Sequence, residues 1–581
     1  MKKYNNGEFT KKDINKEITV FGWVNKRRDM GGVIFVDLRD RSGILQCVFN
    51  REFLSDFNVA ENLKNEYCIS VTGKITARSE SEINPNLPTG EVELIATNLE
   101  VLSESETPPF NIYDESTISE EVSLKYRYLD LRRDKLKNIL ITRHNIVRST
   151  REFLNNNAFL EIETPILCKS TPEGARDYVV PSRIHKGSFY ALPQSPQIFK
   201  QLLMISGFER YYQIAKCFRD EDLRADRQPE FTQIDIEVSF VSQEDIINIV
   251  EELTKKIMKD VKNLEFDKFP RMTYDEAMDK YGSDSPDTRF ELELQDITDI
   301  LEDTNMNVFR NVIENGGIAK CLIVKNNTYP RNEIDRLTDF VKIYGAKGLA
   351  WLKYENNEFS GVIAKNLEIE KQNQIKDRFN IENGDLVLIV ASEPKVVYAS
   401  LGALRLKIAK DQNLIPENTF NFLWVVDFPM FEYSETENRY MAKHHPFTHP
   451  ESIEKLNDPK NCKSIAYDLV LNGNEIGGGS IRIHNPKMQN EVFKALGITE
   501  EESKLRFGFF IDALKYGTPP HGGLAFGLDR LTMLLTGTEN IKDVIPFPKT
   551  QSASDLMSEA PTEISEIQLN ELGIKVVKEN E

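Results

Sequence analysis

The chain has 581 residues and carries 73 lysines and arginines against 92 aspartates and glutamates, a formal net charge of −19. Such acidity argues against a protein that coats nucleic acid without specificity, although it leaves room for a local basic patch. The sequence contains no long apolar run, no apolar segment after its N-terminal lysines and no CxxC pair among its six cysteines, so we expect a cytoplasmic protein with reduced thiols and no membrane contact.

Residues 1–104 contain short apolar runs separated by turn signals, and no long helix. The runs are ITVFGWV, VIFVDL, ILQCVF, YCISVTGKI and VELIA. This pattern predicts a small β-barrel of the OB type. Aromatic and basic side chains are interleaved in it, which suits single-stranded nucleic acid. We assign Trp23 to the barrel core, whereas the pattern alone does not place Phe35.

Residues 105–120 hold two adjacent prolines and many polar residues, which predicts a linker. An amphipathic helix follows in LKNILITRHNIVRSTREFLNNN, and the strand AFLEIETPIL closes at Pro165. Taken alone, this is only a helix–strand unit.

Polar residues then cluster at a predicted helix start. Gln197 and Lys200 are three residues apart and share one helical face, just after Ser195. Gly174 permits a mobile turn beside Glu173. A surface helix with a solvated lysine would have the same pattern.

Two alternating apolar runs, YYQIAKCF and FTQIDIEV, enclose a long charged stretch and predict an antiparallel strand pair with an extended loop. Arg219 stands at the edge of the first strand, and its planar guanidinium suits a phosphate or a carboxylate. Phe231 on the returning strand offers a flat face to a base. Charge pattern alone favours a solvated loop closed by its own ion pairs.

From about 286 to 418, strands and helices alternate without a concentration of reactive side chains, which predicts an inserted α+β domain. The strand pattern resumes at WVVDFPMFEY. The adjacent His444 and His445 have no third ligand at zinc spacing.

A hairpin turning at Asn472-Gly473 carries Asp468 and Glu475, which are hard oxygen ligands of the kind that Mg2+ shares with phosphates. A glycine bulge with solvated acids is the alternative. Further on, PPHGGLAFGLDRLTMLLTG predicts a glycine-rich entry to a helix, which is a favourable place for an anion. Arg530 lies about one turn into that helix.

The order FRDE, an arginine-rich loop and PEFTQ resembles motif 2 of the class II aminoacyl-tRNA synthetases. The glycine-rich helix start with Arg530 resembles motif 3, and the helix, strand and proline up to Pro165 resemble motif 1, the homodimer interface of that family. Essentially the whole chain resembles the bacterial-type aspartyl members of subclass b. The resemblance implies an OB-fold anticodon-binding domain (1–104), a linker (105–120), an antiparallel-sheet catalytic domain in two parts (121–285 and 419–555), an inserted GAD-like α+β domain (286–418) and a C-terminal extension (556–581).

The activity implied by the resemblance is ATP-dependent activation of L-aspartate and its transfer to tRNA-Asp by a homodimer that uses Mg2+, with tRNA-Asn as an open second substrate. An asparaginyl or lysyl enzyme of the same subclass and a non-catalytic tRNA-binding paralogue remain alternatives. Arg482 with Lys200 favours an acidic substrate side chain, since two cations would repel a lysine. The joint presence of Arg219, Glu475 and Arg530 argues against the paralogue.

The resemblance also implies a set of site residues. Catalysis is implied for Arg219, Glu475 and Arg530. Aspartate binding is implied for Glu173, Ser195, Gln197, Lys200, Arg219, Asp235, His444 and Arg482. ATP binding is implied for Arg219, Asp220, Glu221, Gln228, Phe231, Glu475, Gly527, Leu528, Asp529 and Arg530. The Mg2+ ligands would be Asp468 and Glu475. Anticodon reading is implied for Arg28, Phe35, Gln46, Arg78 and Glu93, and tRNA specificity for Met30.

Overall fold

The computed structural model describes residues 2–113, 117–171, 175–327 and 329–577. Two compact units divide these residues. The first unit contains the chain up to residue 144 together with 223–228 and 532–565, and the second contains 145–222, 229–531 and the chain from 566 onward. In the described part of the chain, no helix combines the length and the apolar character that a membrane crossing needs.

A closed five-stranded barrel forms the N-terminal part of the first unit, in the strand order β1–β2–β3–β5–β4. Its elements are β1 (Glu17–Asp29), β2 (Val33–Arg39), β3 (Ile44–Asn50), the short helix α1 (Phe57–Glu61), β4 (Cys68–Ala77) and β5 (Val92–Ser103). Alternate residues of β2, namely Ile34, Val36 and Leu38, are fully buried in the barrel core. The predicted OB-type barrel is therefore confirmed.

Trp23 is not in the barrel core, which corrects its sequence-based assignment. Val20, Gly22 and Val24 on the same strand are buried, so the alternation of β1 turns Trp23 outward. Its half-buried ring packs against the guanidinium of Arg132, whose central carbon lies 5.0 Å from the ring centroid.

After the barrel come the helices α2 (Glu120–Lys125), α3 (Arg127–Asp130) and α4 (Asp134–Asn156), of which α4 spans the predicted amphipathic helix. The strand predicted after it is shorter than expected. Only β6 (Leu160–Glu161) pairs with the sheet, opposite Tyr211 and Tyr212. Beyond β6 the chain leaves the sheet edge ahead of Pro165, which has no N–H to donate.

The second unit is built on an eight-stranded sheet. After β6, the unit continues with β7 (Val179–Pro181), β8 (Phe189–Ala191), α5 (Gln197–Ile205), β9 (Arg210–Phe218), β10 (Glu230–Ser239), α6 (Gln243–Lys262), β11 (Arg271–Thr273) and α7 (Tyr274–Tyr281). The segment that follows contains β12 (Gln295–Asp296), α8 (Thr298–Leu301), α9 (Asn307–Glu314), β13 (Ile318–Val324), α10 (Arg331–Lys342), β14 (Ala350–Glu355), β15 (Glu358–Ser360), α11 (Ile369–Phe379), β16 (Leu386–Ser392) and α12 (Pro394–Asp411).

The chain then returns to the large sheet. The remaining elements are β17 (Phe422–Val426), β18 (Phe431–Ser434), β19 (Arg439–Ala442), β20 (Ala466–Leu471), β21 (Asn474–Ile481), α13 (Pro486–Ala495), α14 (Glu500–Ala513), β22 (His521–Gly527), α15 (Leu528–Thr536) and α16 (Glu566–Leu572). The strand order of the sheet is β11–β17–β20–β21–β22–β10–β9–β6. Its inner pairs are antiparallel, and only the outermost pair at each edge is parallel. The predicted antiparallel sheet is thus confirmed.

The segment between β11 and β17 has a sheet of its own, in the order β12–β13–β16–β14–β15. Arg405 on α12 connects this segment to residues 287–292, where the chain enters it. Its buried guanidinium donates to the main-chain oxygens of Asp287, Phe290 and Leu292 at 2.9, 3.0 and 2.9 Å. Burial lowers the pKa of Arg405 to about 10, although the nearby Asp287 opposes this shift.

Candidate active site

Arg219 and Phe231 lie together where β9 and β10 meet the connecting loop. These strands pair from Arg210 and Val238 to Phe218 and Glu230. The main-chain N–H of Arg219 donates to the oxygen of Pro229 at 2.9 Å and so closes the base of the loop. The guanidinium carbon of Arg219 lies 5.0 Å from the centroid of the Phe231 ring. A flat aromatic face and a fixed cation therefore stand side by side at this edge.

Asp220 continues the chain next to Arg219. Its main-chain N–H donates to the oxygen of Arg176 at 3.1 Å, and the two side chains approach to 3.7 Å. The loop with Glu173 precedes Arg176, but Glu173 itself lies outside the described residues. Glu221 is partly buried.

Two cations and two carboxylates are buried side by side beneath this edge. The Lys200 ammonium of α5 lies 2.5 Å from Asp235 Oδ1 and 3.2 Å from Glu237 Oε2. Arg482, just after β21, donates from Nε and Nη2 to the two oxygens of Glu237 at 2.9 and 3.2 Å. Burial works against the charge of Glu237, yet Arg482 and Lys200 hold its pKa at about 2.

The guanidinium of Arg482 is fixed on its other side as well. Its Nη1 donates to Ser480 Oγ and lies 2.7 Å from His445 Nε2, which accepts because arginine has no acceptor. Burial, and secondarily Arg482, keeps the pKa of His445 well below its usual value, so this histidine stays neutral. Arg482 is thereby held in one orientation.

Buried polar atoms around this network have no hydrogen-bond partner within the described residues. They are Gln197 Nε2, Asp235 Oδ2 and His444 Nε2. Ser195 Oγ accepts the main-chain N–H of Gln197 at 3.3 Å, so both lie at the start of α5. Burial lowers the pKa of His444 to about 4, so its ring too is neutral. Since buried polar groups are normally paired, these atoms indicate a polar ligand.

Asp468 and Glu475 converge across the hairpin of β20 and β21, in which a bulge follows Leu469. A Cβ placed on Gly478 would lie 2.7 Å from Asp468 Oδ1 and 2.9 Å from Glu475 Oε1. Both carboxylates therefore share the space that only a glycine leaves open. Burial, and then the charge of Glu475, raises the pKa of Asp468 well above its usual value. Burial also raises the pKa of Glu475, although Arg530 opposes this rise.

This carboxylate pair fits a divalent cation. Asp468 Oδ1 has no partner within the described residues, and the two carboxyl groups destabilise one another without a cation between them. In the described ranges no cluster of three or more His, Cys, Asp or Glu side chains suited to a metal exists. The remaining ligands would be phosphate oxygens and water, which Mg2+ commonly keeps.

The glycines before α15 lie in a strand of the sheet and not in a loop. Gly522 and Gly523 lie in β22, whereas we expected them to form the entry to the helix. A Cβ on Gly523 would lie 2.1 Å from both Glu237 Oε2 and the main-chain oxygen of Ile236, so close strand packing requires glycine there. Gly527 ends β22 opposite Gln233 and leads directly into α15.

Arg530 returns from α15 to the hairpin of the carboxylate pair. Its Nη1 donates to the main-chain oxygen of Glu475 at 2.8 Å. The neighbouring Asp529 accepts the main-chain N–H of Thr232 at 2.7 Å, and Leu528 is buried in the interior. Asp529 and Leu528 thus anchor the helix, and Arg530 reaches the carboxylate hairpin from it.

A second candidate site lies on one face of the barrel. Phe35 is half-buried between inward-facing neighbours, and the Arg28 guanidinium carbon lies 5.9 Å from its ring centroid. Arg28 donates to Gln46 Oε1 at 2.8 Å, and Gln46 donates to Glu93 Oε2 at 2.8 Å. Arg78 completes the group, 3.9 Å from Glu93. The five residues predicted for the anticodon are therefore contiguous.

Met30 stands at the tip of the hairpin that leads to this barrel face, between β1 and β2. Its main-chain N–H donates to the oxygen of Val33, and its side chain is 72% exposed. Gly31 and Gly32 follow with φ angles of 74° and 118°, which only glycine adopts readily.

Comparison with known proteins identifies the family. A model described as "tRNA synthetases class II (D, K and N)" matches residues 119–551, and one described as "OB-fold nucleic acid binding domain" matches residues 18–102. A protein named aspartate–tRNA ligase from Oceanobacillus iheyensis is 55% identical over 98% of both chains. One named aspartate–tRNA(Asp/Asn) ligase from a Geobacillus species is 56% identical over 99% of this chain and 98% of its own. The chain belongs to the aspartate–tRNA ligases of class II.

Solved structures agree with a class II synthetase fold. Asparaginyl-tRNA synthetase from Pyrococcus horikoshii, complexed with asparaginyl-adenylate, has a TM-score of 0.59 at 19% identity, over 95% of this chain and 98% of its own. Aspartyl-tRNA synthetase from Entamoeba histolytica has a TM-score of 0.56 at 20% identity, over 94% and 91%. At such low identity the likeness supports the fold of this aspartate–tRNA ligase family member and nothing finer.

Some site residues of the family member were missed in the sequence. Glu237 forms ion pairs with both Lys200 and Arg482. It stands two residues after Asp235, on the same face of the strand, and this spacing could have indicated that it belongs to the site. Asp37 accepts from Arg28 at 2.9 Å on the barrel face. Gln228, predicted for adenosine, lies in the first unit, where its amide exchanges hydrogen bonds with the main chain of Lys549 at 2.8 and 3.0 Å.

Proposed function

We propose that the protein activates L-aspartate with ATP to aspartyl adenylate and transfers the aspartyl group to the 3′ end of tRNA-Asp. The observation that carries this proposal is the buried Lys200–Arg482 pair beside polar atoms that lack partners in the described chain. Sequence identity of 55% and 56%, over nearly the full chain, to two proteins named as aspartate–tRNA ligases supports the proposal. The test is charging of a tRNA-Asp transcript with labelled aspartate by the purified protein, in which no charging would refute the proposal.

The charges of the pocket favour aspartate within its subclass. Glu237 and Asp235 balance Arg482 and Lys200, so a substrate carboxylate meets fixed donors without a large excess of positive charge. A lysine side chain would bring a third cation next to two buried ones. Gln197, His444 and Ser195 would orient the rest of the substrate, and Glu173 would face its ammonium group.

The first chemical step needs no general base, because the α-carboxylate of aspartate is ionised at neutral pH. It attacks the α-phosphorus of ATP, and pyrophosphate leaves. Arg219 would hold the α-phosphate while Phe231 stacks on the adenine, and Arg530 would hold the γ-phosphate. Glu221 and Gln228 are proposed for the adenosine, Gln228 on its position in motif 2 alone. Catalysis is then positioning and electrostatic stabilisation.

We propose Mg2+ as the ion held by Asp468 and Glu475. Bound there, it supplies positive charge to the ATP phosphates. The support is the shared space over Gly478, the unpartnered Asp468 Oδ1 and the mutual repulsion of the two carboxyls.

Asp468→Asn should raise the melting temperature of the metal-free protein at pH 8 and remove most of the further rise that Mg2+ gives the wild type. Because the folded-state pKa of Asp468 is raised, its ionisation costs stability increasingly as pH climbs above its unfolded value of 3.8. Thermal unfolding with and without Mg2+ measures both effects. The exposed Asp339 on α10 supplies the control Asp339→Asn, and an equal Mg2+ response in both variants would exclude Asp468 as a ligand.

Phe35→Ala should raise the KM for tRNA and leave aspartate-dependent pyrophosphate exchange almost intact. A base stacked on an aromatic ring contributes about 1–3 kcal/mol by alanine substitution, which is roughly 5- to 150-fold in affinity. Steady-state aminoacylation and pyrophosphate exchange are compared on the same preparation. If both activities fell together, Phe35 would be a structural residue of the barrel.

The range of tRNA substrates is proposed to depend on Met30. Of the two relatives described above, one is named for tRNA-Asp and tRNA-Asn together. Met30 is exposed at the hairpin tip next to the strand ends that carry Arg28 and Phe35. The test compares the rates at which the wild type and Met30→Ala charge tRNA-Asn and tRNA-Asp. An unchanged ratio of these two rates would show that Met30 does not determine which tRNA is charged.

We also propose a cytoplasmic homodimer. In the motif 1 segment, Leu160, Ile166 and Leu167 are 50%, 41% and 53% exposed, which suits burial against a second copy. All six cysteines are free thiols, as expected in a reducing compartment. Sedimentation equilibrium would refute the dimer if the protein were monomeric at micromolar concentration.

A further inference from the structure

A buried carboxylate of the barrel is shared by two arginines, and the proposed function does not use it. Glu66 lies between α1 and β4, and only 4% of the residue is exposed. Its Oε2 accepts from Nη2 of Arg39 at 2.8 Å and from Nη1 of Arg132 at 2.7 Å. Arg39 ends β2 of the barrel, whereas Arg132 stands between α3 and α4. The carboxylate therefore bridges the barrel and the helical segment that follows it.

The main chain holds Glu66 in an uncommon conformation. Its φ angle is 67°, in the left-handed region that few residues other than glycine adopt. Its N–H donates to the main-chain oxygen of Val24 at 2.7 Å, and the N–H of Val24 donates to the main-chain oxygen of Tyr67 at 2.9 Å. These two hydrogen bonds to β1 enforce the strained position. The carboxylate is thus offered to both arginines from a fixed backbone.

Trp23 gives Arg132 a second contact on the barrel. In the sheet, Trp23 pairs with Arg39 on β2 and with Cys68 on β4. The guanidinium carbon of Arg132 lies 5.0 Å from the centroid of the Trp23 ring, a distance at which the face of an indole attracts a cation. One guanidinium therefore contacts both an anion and an aromatic ring of the barrel.

The helical segment is attached at its other end through Arg127, the first residue of α3. Its buried guanidinium donates to the main-chain oxygens of Lys542, Ile545 and Pro546 at 2.6, 3.1 and 2.9 Å. Arg132 follows the end of the same short helix, and all these residues belong to the first compact unit. The segment therefore binds the chain after α15 with one arginine and the barrel with the other.

The covalent connection does not set the orientation of the barrel by itself. In its described residues, 104–113 and 117–119, the chain between β5 and α2 contains no helix or strand. A connection without regular structure leaves the two parts that it joins free to turn unless other contacts hold them. The contacts of Arg132 with Trp23 and Glu66 are of this kind.

We infer that Arg132 is a positioning residue for the transfer step. The joint formed by Trp23, Glu66 and Arg132 holds the barrel in one orientation, so that a tRNA bound by its anticodon presents its 3′ end to the aspartyl adenylate. There a ribose hydroxyl attacks the aspartyl carbonyl carbon, the bond from that carbon to the phosphate oxygen of AMP breaks, and the hydroxyl proton is released. The inference rests on the proposed function and adds a residue that acts through the barrel.

A barrel without this joint still binds an anticodon, because its anticodon face is intact. The 3′ end of the bound tRNA then spends only part of its time where it can react. Since holding reacting groups in place beforehand accelerates a reaction between them, loss of the joint slows transfer at saturating tRNA. Aspartate activation does not involve the barrel and keeps its rate.

The test is single-turnover transfer of aspartate from preformed aspartyl adenylate to tRNA-Asp, compared with binding of an isolated anticodon stem-loop. Arg132→Ala should lower the transfer rate at saturating tRNA about tenfold, the loss typical of one charged hydrogen bond, and leave stem-loop affinity and pyrophosphate exchange unchanged. The variant should fold, because Arg39 remains paired with the buried Glu66. Arg132→Lys, whose ammonium can still pair with Glu66, should recover part of the rate.

Arg51→Ala is the matched control. The Arg51 guanidinium carbon lies 4.9 Å from the ring centroid of Phe57, and its Nη2 lies 2.6 Å from Glu61 Oε1. This variant therefore loses the same two kinds of contact, but within the barrel, and should transfer at the wild-type rate. An unchanged transfer rate in Arg132→Ala, an equal loss in Arg51→Ala, or an equal loss of stem-loop affinity or of pyrophosphate exchange would each overturn the inference.

Tryptophan fluorescence measures the joint without tRNA. Of the three tryptophans, Trp351 and Trp424 are 8% and 0% exposed, so Trp23 is the one that acrylamide reaches most readily. Arg132→Ala should increase acrylamide quenching, since the guanidinium no longer covers the ring, and unchanged quenching in a folded variant would overturn the inference. Failure of the wild type to charge tRNA-Asp would refute the proposed function instead, and the quenching comparison would still judge the joint.

Discussion

Arg482→Leu should remove the preference for aspartate over asparagine. Aspartate and asparagine are nearly isosteric, so pocket shape alone separates them poorly. Glu237, Ser480 and His445 leave one N–H of the Arg482 guanidinium, on Nη2, for a substrate carboxylate oxygen, whereas the amide nitrogen of asparagine would set a donor against this donor. A buried charge without its partner costs about 3–5 kcal/mol, and at 1.36 kcal/mol per tenfold that is roughly two to four orders of magnitude in discrimination.

The structure sharpens this prediction. Glu237, Ser480 and His445 fix the guanidinium through Nε, Nη2 and Nη1, so its orientation is set before substrate arrives. Arg482→Lys should therefore rescue poorly, because an ammonium cannot reproduce these directions. Removal of Arg482 does not leave Glu237 alone, since Lys200 remains 3.2 Å from it.

The measurement is kcat/KM for aspartate and for asparagine in pyrophosphate exchange, wild type against Arg482→Leu. The double variant Glu237→Gln/Arg482→Leu keeps the buried charge balanced and controls for a loss of stability. Thermal unfolding of each variant identifies misfolding. If the ratio of the two kcat/KM values stayed the same in a folded variant, Arg482 would not be the specificity residue and Lys200 would be the better candidate.

Arg219→Ala should lower kcat for pyrophosphate exchange by about 10²–10³, the usual loss when one preorganised donor to a developing charge is removed. The guanidinium packs against the Phe231 ring, and the main-chain hydrogen bond from Arg219 to Pro229 fixes the backbone that carries it, so it is positioned before ATP binds. The reaction increases negative charge at the α-phosphate, and Arg219 is the residue proposed to meet it.

The matched control is Arg224→Ala, since Arg224 is an exposed arginine of the same loop. The pyrophosphate exchange assay contains no tRNA. Arg224→Ala should therefore retain the wild-type exchange rate even if Arg224 contacts tRNA. Circular dichroism of both variants should remain native. Normal exchange in Arg219→Ala would contradict the motif 2 interpretation of the loop.

Local periodicity was enough to predict the barrel and the paired strands β9 and β10 of the main sheet, but it missed β22, whose glycines were expected to form a helix entry. The run VIFVDL is indeed a strand, β2, in which Ile34 and Val36 are fully buried. It misplaced Trp23 because burial was inferred from residue type instead of from its neighbours Gly22 and Val24. The short β6 was overestimated, since pairing at a sheet edge depends on a partner strand that the segment itself does not reveal.

Local sequence patterns could not predict contacts between residues that lie far apart in the sequence. Glu237 and Arg482 are 245 positions apart in the sequence. The resemblance named Arg482 but not the carboxylate that orients it. Likewise, the shared space of Asp468 and Glu475 requires the bulge after Leu469 and the missing side chain of Gly478, which only the folded hairpin brings together.

Pyrophosphate exchange with each of the twenty amino acids tests the central claim most directly. With ATP and Mg2+ and without tRNA, the account predicts exchange that depends on aspartate, with asparagine lower by roughly two to four orders of magnitude. Exchange driven by asparagine or lysine at the level of aspartate, or no exchange with any amino acid, would contradict it.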